Sequence, residues 1–115
     1  MSLFTNTLLQ RVKMLKNWKA WVSKIAKVAK ELMSDAEVYV IGSVVRGDYV
    51  AGSDVDILIV SKSVPERIVE RGKIKVLIEE KLNLPYYHPF ELHLLKPEEA
   101  ELYLRKAGKY VSKVA

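Results

Sequence analysis

Two carboxylates one residue apart, Asp54 and Asp56, stand at the head of an apolar run that ends at Val60. In an extended chain, side chains alternate between faces, so Asp54, Asp56, Leu58 and Val60 share one side. Val55, Ile57 and Ile59 share the other, which is expected to face the core. Two ionised carboxylates this close repel unless a cation lies between them. Oxygen ligands with no histidine or cysteine beside them suit Mg²⁺, which keeps waters and takes substrate phosphates as further ligands. The same pair can also cap a loop or face water, and these two residues alone leave that plainer reading open.

A second group lies just upstream. Gly42 ends the apolar stretch Glu37 to Ile41, and a glycine there allows a tight turn and close approach of a ligand. Ser43 adds a hydroxyl and a backbone N–H suited to phosphate oxygens, or else a helix cap. Arg46 adds a charged fork for the same phosphates, or else a surface charge.

The elements that must position these residues follow from periodicity. Apolar residues from Leu8 to Leu32 recur at three- and four-residue spacing, which predicts one long amphipathic helix over 6–33. Lys13, Lys16, Lys19, Lys24, Lys27 and Lys30 gather opposite, as a solvated face or as a footprint for an acidic partner or RNA. Trp21, at the stripe's edge, is expected to pack. Residues 37–41 read as a first strand, 43–53 as a turn holding one helical turn, and 54–60 as a second strand. Ser63 and Pro65 predict a helix start, running to about Leu82 with Gly72 weakening it. A loop over 83–89 precedes a third strand, Phe90 to Leu95. There Phe90, Leu92 and Leu94 face one way while Glu91 and His93 face the other. Pro97 with Glu98 and Glu99 opens a last helix that Gly108 ends. The tail from Lys109 carries no assignable pattern. The expectation is an α/β (α+β) domain: a small mixed β-sheet flanked by helices, one unit over 1–115, with helix over 1–34 and the sheet-bearing core over 35–115.

Gly42-Ser43, ten residues, then Asp54-Val55-Asp56 resembles the signature of the minimal nucleotidyltransferases of the DNA polymerase β-like superfamily. The wording here is Gly-Ser-Val-Val-Arg-Gly followed by Gly-Ser-Asp-Val-Asp, and the likeness runs from about residue 20 to 107. The resemblance implies a polymerase β palm-like fold. It implies that Gly42, Ser43, Arg46 and Ser53 bind the nucleotide and that Asp54 and Asp56 bind two Mg²⁺ ions. A third catalytic, metal-binding acid is usual on a neighbouring strand, and Glu91 is its candidate, although aspartate is more usual there. His93 shares that face, as a ligand-orienting or a structural residue. His88 is expected to be a loop residue.

The implied reaction moves AMP from ATP onto a hydroxyl. Larger relatives carry acceptor-binding domains, for which 115 residues leave no room. Stand-alone members pair with a helical HEPN protein as a toxin–antitoxin system, adding AMP to a tyrosine of the toxin. That HEPN partner is the leading expectation. The alternative is a non-catalytic antitoxin that neutralises a partner by contact. Direct RNA binding through the lysine face ranks last, because Trp18 falls on the apolar side.

The whole composition bounds these readings. The net charge of +5 favours polyanionic partners such as nucleotides. With no cysteine there are no disulfides and no thiolate chemistry, and a cytoplasmic location is expected. No apolar run reaches the roughly 18 residues of a membrane span. The first ten residues lack a signal peptide's pattern.

Overall fold

The computed structural model describes residues 3–115, with side chains from Asn6 onward. The reading of the extreme N-terminus as lacking a signal peptide falls partly on Met1 and Ser2, outside the described residues. The described chain runs α1 (Leu3–Lys16), α2 (Trp18–Leu32), β1 (Glu37–Ile41), α3 (Ser43–Arg46), β2 (Val55–Val60), α4 (Ile68–Lys81), β3 (Phe90–Leu95), α5 (Pro97–Ala107) and β4 (Val111–Lys113). The four strands form one mixed sheet in the order β3-β2-β1-β4. β1 pairs antiparallel with both β2 and β4, and β2 pairs parallel with β3 through the α4 crossover. No described helix is long and apolar enough to cross a membrane.

The sheet's two faces carry separate cores. On one, Val55, Ile57 and Ile59 pack with Val22, Ile25 and Ala29 of α2 and Ile78 of α4. Phe90, Leu92 and Leu94 join them, as the alternation of β3 requires. On the other, Leu58, Val60 and Leu95 pack with Ala100 of α5. The α5 helix starts at Pro97, and Glu99 Oε1 accepts from the Lys96 N–H at 2.8 Å, fixing its first turn. Arg71 ties three elements together. Its Nη1 donates to the Leu94 carbonyl at 3.1 Å and to Glu99 at 2.9 Å, and its Nε donates to the Pro65 carbonyl.

Three expectations need correction. The helix over 6–33 is two helices, broken at Asn17. The Asn17 side chain donates to the Lys13 carbonyl at 3.2 Å, a local bond that competes with helix continuation. The buried stripe nonetheless passes through the break, from Leu15 to Trp18 and Val22. Leu8, at the stripe's start, is exposed. The next helix begins at Ile68, not at Ser63. Ser61 Oγ donates to Asp35 and accepts from the Ser63 N–H at 2.9 Å, so this stretch closes its own turn instead of capping a helix. The unassigned tail forms β4, and the Val114 N–H donates to the Val38 carbonyl at 2.8 Å beyond it. Trp21 packs as expected, its ring centroid 6.2 Å from that of Phe90.

Candidate active site

The register of the sheet builds the site. Asp56 stands opposite Ile41 on β1 and opposite Glu91 on β3. The end of β1, the head of β2 and the head of β3 therefore meet at one edge of the same sheet face. Gly42 follows Ile41 directly. Its φ is +90°, a conformation that side-chain-bearing residues rarely adopt, and an added Cβ would lie 3.5 Å from Asp56 Oδ2. Glycine is thus favoured by backbone shape, while the acid lies at ordinary van der Waals distance from the place a Cβ would take. The turn lets Ser43 open α3, whose last turn closes through the Gly47 N–H donating to the Ser43 carbonyl at 2.9 Å.

Asp56, Glu91 and His93 converge. One ligand atom from each lies within 4.8 Å of the others. His93 Nε2 is 3.2 Å from Asp56 Oδ1 and 3.9 Å from Glu91 Oε1. Asp56 and Glu91 keep 37% and 51% of their side-chain surface open, so an ion or substrate can reach them. Two carboxylates and an imidazole, partly open to solvent, are a fitting donor set for a divalent cation.

Asp54 stands outside this group. Arg11 of α1 holds it, Nη2 donating to Asp54 Oδ1 at 2.9 Å and to the Ser53 carbonyl at 2.8 Å. Its Nη1 donates to the Tyr87 carbonyl at 3.1 Å. Arg11 thereby clamps the two loops that lead into β2 and β3. Sequence reasoning missed it, although a signal was present: position 11 lies three after Leu8 and four before Leu15, a charge within the apolar stripe. Ser53 serves its own turn, its Oγ accepting from the Val50 N–H at 3.0 Å. Arg46 is exposed, bonds Asp48 at 3.2 Å and lies over the Tyr110 ring at 5.6 Å.

The two histidines have parted company. His88 Nδ1 accepts from the Phe90 N–H at 3.1 Å, which places the ring proton on Nε2, facing Glu79. It is a structural loop residue, as expected. His93 instead faces the acids, with its other flank against Tyr103 at 5.5 Å between ring centroids. The lysines of the N-terminal helices are exposed, and Trp18 is buried.

Residues 22–113 match the family model of the nucleotidyltransferase domain. The fold also matches a crystal structure from Sulfolobus solfataricus, described as that of a "putative nucleotidyltransferase", with a TM-score of 0.58. That match has 21% identity and covers 95% of this chain and 83% of the other, a likeness of fold. No curated protein matches significantly.

Proposed function

Since the chain belongs to the nucleotidyltransferase domain family, we propose that it moves AMP from ATP onto a hydroxyl of a partner macromolecule. The observation that carries this reading is the convergence of Asp56, Glu91 and His93 beside the Gly42-Ser43 turn. In the reaction, the acceptor oxygen forms a bond to the α-phosphorus while the bond to the pyrophosphate oxygen breaks. Glu91, the more open of the two converging acids, takes the hydroxyl proton. His93 holds Asp56 in place through their hydrogen bond. Ser43 and Arg46 are assigned to the leaving phosphates. Asp56 and Glu91 would hold a divalent cation, Mg²⁺ by family resemblance, and Asp54 would contribute to a second by sharing its charge with Arg11. When bound, such ions supply charge neutralisation to the attacking and leaving oxygens.

A protein acceptor fits the exposed apolar residues of α4, where Ile68 is 84% and Val69 63% exposed. We assign the acceptor to a tyrosine of a HEPN toxin on the strength of the resemblance. The test is label transfer from α-labelled ATP in a lysate of the source organism, comparing wild type with the double variant Asp54→Asn/Asp56→Asn. A protein band labelled only by wild type supports the proposal, and its mass identifies the acceptor. Labelled RNA would redirect the acceptor to tRNA-like molecules. Equal outcomes from two folded proteins would favour neutralisation by contact.

A further inference from the structure

Between α5 and the turn after β1 lies a groove of ≈ 310 Å³, whose walls include Gly42, Arg46, Tyr103, Lys106 and Tyr110. It touches the acidic site at two points. Gly42 lies against Asp56, and Tyr103 packs on His93, which bonds Asp56. The walls carry two cations and two phenol rings but no carboxylate. Arg46 is shared with Asp48, and Arg46 and Lys109 both lie over the Tyr110 ring, at 5.6 and 5.4 Å. Tyr110 is therefore engaged by cations. Tyr103, 37% exposed and contacted by His93, is the ring left to receive a planar ligand.

We propose that this groove is the nucleoside subsite of the transferase, with Tyr103 the stacking platform for the base and Lys106 a phosphate contact. The assignment rests on the nucleotidyl-transfer reading and deepens it. Rings and cations together suit an aromatic anion. The volume falls at the lower end of the roughly 300–1,000 Å³ of small-molecule sites, which suits one nucleoside rather than a strand. The walls hold no side-chain amide or carboxylate to read a base edge. Stacking accepts any base, because every base has a π-face. The subsite therefore discriminates weakly between ATP and GTP.

Calorimetric titration of the full chain with ATP, GTP and inorganic tripolyphosphate, each with Mg²⁺, tests this. Tyr103→Ala is expected to weaken ATP about 5- to 150-fold, the range for loss of one stacked base. Tripolyphosphate affinity should stay within about twofold, because the stack touches only the base. Tyr103→Phe should retain ATP binding, which separates lost stacking from misfolding. Lys106→Ala should weaken ATP and tripolyphosphate alike. The subsite is overturned if Tyr103→Ala leaves ATP unchanged or weakens both probes equally. It is also overturned if wild type prefers one purine over the other by more than about 200-fold, a margin beyond what packing alone supplies. If wild type binds neither ATP nor tripolyphosphate, this assignment and the transferase reading fall together. If Tyr103-dependent ATP binding persists without any label transfer, only the transferase reading falls.

Discussion

On one face of the sheet Val55, Ile57 and Ile59 are fully shielded beneath the helices, whereas on the other Asp56 stays open while Leu58 and Val60, two and four residues on, are covered. The pleat is the same on both faces, and so is the strand. The difference lies in the cover. The helices α2 and α4 pack along the first face, while α5 covers the second most fully through Ala100 over Leu58, Val60 and Leu95 and reaches the acids only with Tyr103 against His93. On this face the head of β2 is only partly covered, and a partly wet strand end can hold carboxylates that a dry one could not. The second face thus serves as core and as candidate site within a single strand.

The sharpest way to break this contrast is to exchange its terms. Asp56→Asn is expected to lower label transfer more than about 100-fold, beyond the loss seen when only a ligand's supporting partner is removed. Its unfolding free energy should stay within about 1 kcal/mol of wild type, because the site is near solvent. Leu58→Ala should do the reverse, costing about 2–5 kcal/mol in denaturant unfolding. Unchanged turnover in folded Asp56→Asn would remove Asp56 from the chemistry. Glu91→Gln removes the base that takes the hydroxyl proton and is expected to cost about 100-fold in turnover, with less effect on ATP affinity. Single-turnover and binding measurements on that variant separate the two, and full activity would place the third acid elsewhere.

The smallest effect tests the cover itself. The Lys96 N–H, and then Arg71, hold the Glu99 carboxyl below its ordinary value of 4.5. A lowered folded pKa means that this stabilisation is complete above the unfolded value and is lost as pH falls through the folded one. Glu99→Gln should therefore be less stable than wild type at neutral pH. The gap should close on acidification below about 4.5. Denaturant midpoints across that range measure it, and a gap that does not depend on pH would contradict the assignment.

Much of the candidate site was legible because its signals are local. Gly42 is demanded by a positive φ, and the strand assignments of Asp56 and Glu91 follow from period-two alternation. Their register, Asp56 opposite Glu91, was not legible, because nothing in either strand states its partner. His93 left two roles open in the sequence, and pairing across β2 and β3 turned it towards Asp56. Arg11 escaped because its partners lie 42, 43 and 76 residues away.

The sequence by itself determined the first three strands, the glycine turn, the last helix and the placing of two acids at a strand's head. Each depends on alternation, backbone conformation or capping, all properties of neighbours along the chain. Tertiary structure alone decided that the tail becomes β4, and that the face bearing Asp56 is covered from Leu58 onward. Those outcomes depend on which distant surface is available to bury an apolar residue or pair a free backbone edge. Apolar burial has no direction and no memory of chain order, so no local pattern encodes it.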